Sequence, residues 1–306
     1  YAKLAWEQSD LLVGQAWHPM SGDLMPEVFS LATGAPFNPF NRSPQVRYNY
    51  TPVKGLTLTA AALYQFQYGS VGLDGKTSNV YSRNAMVPEL FVGMTGKGKY
   101  LSGGFGVNAS TIAPRVTAET TEGTIRVHES LTSYSAIVFG SLKVDDLSIR
   151  AKAMYGQNTS HMQQPTGFGI VGHRNNGYAP NGYLAANVVN EYDAMQLGSA
   201  WLTMMYGKKL RYGFFAGWMK NFGSAGEDFT SLVVRNNTGM DQAYRFSPIV
   251  TYKVQNMTLG LEYEHTATAY GEYKQSAGVG RVTDGTIINT HWVANNRVCF
   301  MLKYDF

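Results

Sequence analysis

Few residues in this chain have types and spacings that could do chemistry. Gly167, Gly169 and Gly172 in "GFGIVG" carry the G-x-G-x-x-G spacing of a dinucleotide-binding turn. Such a turn holds a pyrophosphate when a strand precedes it and a helix follows. Here the flanks are "HMQQPT" and "HRNNGYAPNGY", inside a long connection, so no nucleotide site is expected. "EYEH" brings Glu262, Glu264 and His265 together. On a strand the two acids share one face and His265 points away, so they do not share a metal. His161 and His173 fall in one long connection, with nothing to fix their distance. A lipid-facing hydrolase would need His265 or His291 within hydrogen-bond reach of a hydroxyl such as Ser276 or Thr290. No motif joins them. Loop carboxylates could hold Ca²⁺ at a surface. The reading expects no catalytic residue, no cofactor, no resident metal and no enzyme.

The remaining chemistry is charge set at alternate positions, and the elements that carry it decide its meaning. Helical periodicity is nearly absent. In "LTLTAAALYQFQY", Leu56, Leu58, Ala60, Ala62, Tyr64, Phe66 and Tyr68 share one face. In "LSIRAKAMY", Leu147, Ile149, Ala151, Ala153 and Tyr155 oppose Ser148, Arg150, Lys152 and Met154. The "LRYGFFAGW", "YRFSPIVTYKV" and "MLKYDF" stretches repeat the pattern. This is the period of strands with one oily side and one wet side. Thirteen strands are expected, over 1–7, 10–16, 44–51, 55–68, 87–96, 99–116, 128–144, 146–157, 190–206, 209–221, 243–254, 256–268 and 291–306. Their connections alternate between tight and long. The long ones are 17–43, 69–86, 117–127, 158–189, 222–242 and 269–290.

Composition narrows the class. Charged residues are 15% of 306, against roughly 25% in an average soluble domain. No apolar run reaches about 18 residues, so no transmembrane helix is expected. The net charge of +4 is spread along the chain and gives no nucleic-acid signature. Cys299 is the only cysteine, which excludes an intrachain disulfide. The start, "YAKLAWE", is not a signal peptide. Alternating tight and long connections suit a membrane barrel, with short periplasmic turns and longer outer loops. Spanning strands need roughly 9–11 residues, which most of these reach. Tyr64, Phe66 and Tyr68 at one end, with Tyr252 and Tyr304 at the other, would form the interfacial belts. Phe306 resembles the terminal aromatic signature of bacterial outer-membrane barrels. The expected fold is therefore an all-β transmembrane antiparallel barrel in a Gram-negative outer membrane, with lipid and lipopolysaccharide as its surroundings. Single-chain barrels have even strand numbers, and three further N-terminal strands would give about sixteen. The segment 17–43 is then the third outer loop, expected to fold inward as a constriction.

The stretch "LLVGQAWHPMSGDLMPEVFSLATGAPFNPFNRSPQVRYNY", with "LTLTAAALYQ" and "FSPIVTYKV", resembles the DcaP-like outer-membrane porins in their Bacteroidota branch. The resemblance covers most of the chain. It implies a sixteen-stranded barrel, a homotrimer and passage of small solutes, with anions such as dicarboxylates favoured in some relatives. It also implies N-terminal strands that this sequence lacks.

In a pore, rings of lumen charge set selectivity. By strand phase the lumen cations are Arg47, Arg150, Lys152, Arg211, Arg245, Lys253 and Lys303, and the lumen anions are Glu262 and Glu264. Asp23 and Glu27 come from the third loop. Opposed charges across a water-filled gap would make a transverse field, with Arg47, Arg150 and Arg245 facing Asp23 and Glu27. The alternative is that the loop acids pin the loop to the wall. Arg42 adds to the strand of Arg47. Phe37, Phe40, Pro36 and Pro39 could make an apolar slide or pack the loop. Gly103, Gly104 and Gly106 would widen the bore or mark a bend. The expected function is passive diffusion of small hydrophilic solutes, with anions slightly favoured by the cationic majority. The alternative is a plugged barrel acting as an adhesin or as a subunit of a larger complex, using the loop at 158–189.

Overall fold

A computed structural model describes residues 1–22, 24–30, 32–120, 123–174, 189–226, 228–234, 239–275 and 282–306. Thirteen strands form one antiparallel sheet in strict chain order. They are β1 (Ala2–Ala5), β2 (Ser9–Trp17), β3 (Arg42–Val53), β4 (Leu56–Leu63), β5 (Glu89–Lys97), β6 (Leu101–Ile112) and β7 (Leu131–Val144). The sheet continues with β8 (Leu147–Gln157), β9 (Gln196–Tyr206), β10 (Leu210–Gly223), β11 (Met240–Val254), β12 (Met257–Gln275) and β13 (Val282–Tyr304). Each strand pairs with its chain neighbours, and β1 and β13 are the sheet edges. No described helix is long and apolar enough to cross a membrane, which leaves crossing by strands open.

The period-two pattern decides which side faces out. Val138, Tyr155, Tyr212, Phe246, Tyr252 and Leu302 are exposed, while their strand neighbours Ile137, Met154, Lys152, Ser247, Ile249 and Thr251 are buried. Exposed apolar and aromatic side chains over a whole sheet face are what hydrocarbon requires. The tight turns need left-handed backbone. Gly55 (φ +88°) closes β3 to β4, and Gly207 (φ +116°) closes β9 to β10. A Cβ at Gly207 would lie 2.0 Å from the Leu210 carbonyl oxygen, so only glycine fits that turn.

Some strand ends differ from the sequence expectation. The 190–206 segment is two strands. Val189–Ala194 leaves the wall and pairs with Gly167–Arg174, and β9 starts only at Gln196. The connection expected at 269–290 is largely strand, because β12 and β13 stay paired through Tyr270–His291 and Glu272–Ile288. Backbone pairing continues there without an apolar alternation to mark it. The 99–116 strand stops at Ile112, and Thr117–Thr120 forms a small hairpin with Gly123–Arg126. "GFGIVG" lies on the strand Gly167–Arg174, flanked by Val189–Ala194 and Ser231–Val234. All three glycines lie within that strand and not on a strand-to-helix turn, so the geometry a nucleotide site requires is not formed there.

That three-stranded sheet roofs the long-loop side over a core of Val71, Ile112, Leu131 and Phe168. Glu129 ties it down, accepting from Arg115 Nη2 (2.7 Å), the Asn190 backbone N–H (2.7 Å) and the Tyr192 hydroxyl. Burial and the contact with Glu129 push the Tyr192 hydroxyl above its usual range.

If the exposed face meets lipid, Val138→Arg, at the middle of β7, destabilises the folded barrel by about 2–4 kcal/mol in bilayers. Urea unfolding in lipid vesicles measures this. An unchanged midpoint would place that face against water.

Candidate functional site

After Trp17 the chain does not run out from the sheet. A short helical turn, Pro19–Gly22, carries it inward, and it returns to the wall at Arg42. Between them the segment contacts the sheet face opposite the exposed aromatics. Buried backbone there needs partners that water does not supply. The wall provides them. Lys152 Nζ of β8 donates to the Met20 and Ser21 carbonyls at 3.1 and 2.9 Å. Arg150 Nη1 donates to the Met25 carbonyl at 3.3 Å. The Phe29 N–H donates to Glu262 Oε2 of β12 at 2.6 Å. Trp201 Nε1 of β9 donates to Asn38 Oδ1 at 3.0 Å. The Phe40 N–H and the Asn41 side-chain amide reach the Met162 and His161 carbonyls, both at 2.9 Å.

Apolar contacts add to this clamp. Met20 packs with Leu63, Phe91, Met154 and Met162. Phe37, with Leu24, Val28 and Phe29 nearby, joins Trp201, Met205, Phe215 and Ile249. Two wall glycines are seats for loop rings. A Cβ at Gly217 would lie 2.7 Å from the Phe37 ring, and one at Gly260 would lie 2.4 Å from the Phe29 ring. Phe37 is therefore loop packing and no slide for solutes. Phe40 is half-buried against Trp17 and Tyr68. Gly104 and Gly106 do not widen the bore, because the Phe139 and Phe91 rings lie over them.

The clamp consumes most of the charges assigned to the lumen. Glu27 is paired with Arg211 (2.9 Å) and Arg150 (3.2 Å) and is not held apart from them across a gap. The expected transverse field from these groups is thus replaced by an ion pair, as in the pinning alternative. Lys152 is only 3% exposed, being covered by the turn whose carbonyls it binds. Arg245 lies under Phe37, 5.5 Å from its ring, and donates to Thr266 Oγ1 at 2.8 Å. Glu262 is fully buried, and Glu264 is buried with Arg297 Nη2 at 2.6 Å. Arg47 reaches the Trp17 carbonyl (2.6 Å) at the root of the segment, and Arg42 stacks on the Trp17 ring at 4.2 Å. Asp23 lies outside the described residues, as does Ser276. His265 is on the outward face, as expected, with Nδ1 2.8 Å from Asn296 Oδ1. The side chain of His173 is also outside the description.

Sequence reading missed two features. His18 and His161 both bond Glu89, which sits 71 and 72 residues away, so no local spacing could show it. These three are the only His/Cys/Asp/Glu group among the described residues whose ligand atoms converge, all lying within 4.8 Å. The second feature is the basic tight-turn end of the lumen. Cavities of about 340 and 370 Å³ share Glu27, Lys208 and Arg211. Together they are lined by Lys143, Arg150, Lys208, Lys209, Arg211, Lys253 and Lys303, against Glu27, Asp145, Asp146 and Asp305. Seven cations less four carboxylates leave an excess of three positive charges. Lys253 and Lys303 keep their expected inward placement. The turn lysines carry no strand phase and went unassigned.

No protein-family model matches the chain, and no curated protein does. Among solved structures, the outer membrane channel DcaP of Acinetobacter baumannii is similar with a TM-score of 0.66 at 18% identity, over 99% of this chain and 73% of that one. In-vitro folded OmpT, an outer membrane protein of Vibrio cholerae, gives 0.50 at 12% identity, over 97% and 76%. At these identities the likeness speaks to fold. The chain has the fold of an outer-membrane β-barrel, and barrels of this kind belong to the outer membrane of Gram-negative bacteria.

Glu27→Gln is expected to cost about 1 kcal/mol or less, since the pair is partly exposed. It leaves Arg150 and Arg211 without their carboxylate, so anion-over-cation permeability rises in reversal-potential measurements. Gly217→Val displaces Phe37 and lowers stability by about 1–3 kcal/mol, read from the urea midpoint.

Proposed function

We propose that this chain is the wall of a passive diffusion porin of the DcaP-like type, in its Bacteroidota branch. Small hydrophilic solutes cross it without reaction or obligatory cofactor, and anions cross preferentially. The observation that carries this reading is the inward segment clamped to the wall beside a cavity pair with excess positive charge. Cations around a water-filled bore lower the barrier for anions and raise it for cations. The likeness in fold to a protein described as an outer membrane channel supports it. So does the sequence resemblance carried by 11–50.

The assembly follows from the same reading. Open sheet edges are not tolerated in hydrocarbon. In the membrane β1 and β13 therefore have partners on their outer sides, which a sixteen-stranded wall supplies. A homotrimer embedded in lipid and lipopolysaccharide is the proposed assembly. A second reading keeps the barrel and loses the pore. The apolar clusters under the inward segment and the roof of outer strands would also suit a plugged interaction barrel.

Planar-bilayer recording of the complete protein under a salt gradient separates the two. The porin reading expects openings in groups of three and a reversal potential of anion-selective sign. Replacing Lys208, Lys209, Lys253 and Lys303 by Gln is expected to move that potential toward cations. A silent bilayer with a folded barrel supports the plugged reading. An open but cation-selective pore would remove these lysines from the account.

A further inference from the structure

The inward segment begins at a buried cluster that the porin reading does not use. His18 follows β2, Glu89 opens β5, and His161 lies in the turn Thr159–Met162. Their side chains are 0%, 3% and 2% exposed. Both imidazole Nε2 atoms address the same oxygen, Glu89 Oε1, at 3.1 and 3.2 Å. Asn108 Nδ2 donates to that oxygen at 2.7 Å.

The proton positions follow from the neighbours. The Met20 backbone N–H donates to His18 Nδ1 at 3.2 Å. That nitrogen is therefore an acceptor, and the His18 ring proton sits on Nε2, donating to Glu89. A zinc ion would use the same His-Glu-His set. Zinc on His18 Nε2 would force the proton onto Nδ1, where the Met20 N–H already points. The arrangement fits protons and not a metal.

Glu89 carries one negative charge and balances one imidazolium. His161 can be that imidazolium with no bond lost, because its Nδ1 has no partner. His18 cannot, since a second proton must go to Nδ1 and would face the Met20 N–H donor to donor. The other charged groups on the packed elements are cations. Lys152 of β8 holds the Met20 and Ser21 carbonyls, Arg47 of β3 holds the Trp17 carbonyl, and Arg42 of β3 stacks on Trp17. β5 and β6 add Glu89 and Asn108, and the Thr159–Met162 turn adds His161 alone. A second imidazolium has no anion left to meet it.

We propose that His18, Glu89 and His161 form a proton-released latch at the root of the inward segment, with His18 as its acid-sensitive member. At neutral pH the Met20–His18 bond, inside the segment, ties the turn Pro19–Gly22 to a ring that Glu89 of β5 holds through Nε2. A second proton on His18 Nδ1 breaks the bond to the Met20 N–H, and the turn loosens. Through the porin reading, that loosening moves the constriction.

Hydrogen–deuterium exchange of residues 18–22 in the full-length protein tests this, with rates corrected for intrinsic pH dependence. Protection is expected to fall about tenfold between about pH 7.5 and about pH 5, the effect of losing one buried hydrogen bond. His18→Asn keeps an acceptor for Met20 without titrating, so its protection should not change with pH. His161→Gln should still lose protection in acid, an asymmetry that a purely structural cluster would not give. Equal protection at both pH values in the unmutated protein overturns the proposal, as does acid release in His18→Asn. Zn²⁺ protecting the segment at neutral pH, with that effect lost in His18→Asn, would also overturn it in favour of a metal site. Exchange needs no current, so a silent bilayer would defeat the pore reading and leave this test decisive.

Discussion

Everything in this barrel's interior depends on one constraint. A length of backbone laid against the inside of the wall must find partners for its amides and carbonyls where bulk water does not reach. The wall meets that demand with long side chains from strands distant in sequence. Lys152 and Arg150 cap carbonyls near the start of the segment, Glu262 takes the Phe29 N–H, and Trp201 fixes Asn38. Glycines at 217 and 260 then let two aromatic rings lie flush with the strands. Clamp and packing act on the same stretch, so the loop sits as a fixed part of the wall.

This changes what the lumen charges do. A charge that closes a hydrogen bond to the loop is not available to a passing solute. Lys152 and Glu262 are spent in this way, Arg245 lies under Phe37 and bonds Thr266, Glu264 is taken by Arg297, and Glu27 is held between two arginines. The field a solute would meet comes instead from the tight-turn end. There Lys303 pairs with Asp305 and Lys208 with Asp146, while the cavity pair keeps its excess of positive charge. The Asp305 carboxyl is held below its ordinary range by its bond to Lys303, so it stays ionised at neutral pH.

The wall was legible in the sequence because its physics is local. Alternation in "LSIRAKAMY" names both the face and the strand, and all thirteen wall strands fall inside or across the expected spans. Where alternation is weak, the reading failed. Val189–Ala194 could not be told from the start of β9, and the outer ends of β12 and β13 carry no apolar period. The interior was legible only in part. Strand phase puts Arg150, Lys152, Arg211, Glu262 and Glu264 on the face opposite the exposed aromatics, but phase says nothing of what covers a side chain. The His18–Glu89–His161 cluster and the turn lysines needed the three-dimensional path, because their partners come from different loops.

The most direct test of the central claim, that the clamped segment 18–41 sets the size of the passage, is the single-channel conductance of a complete protein in which residues 24–35 are replaced by a short Gly-Ser link. The account predicts a clear rise in conductance over the unaltered channel, with folding confirmed by circular dichroism. An unchanged conductance in a folded barrel would contradict it and place the narrowest point elsewhere.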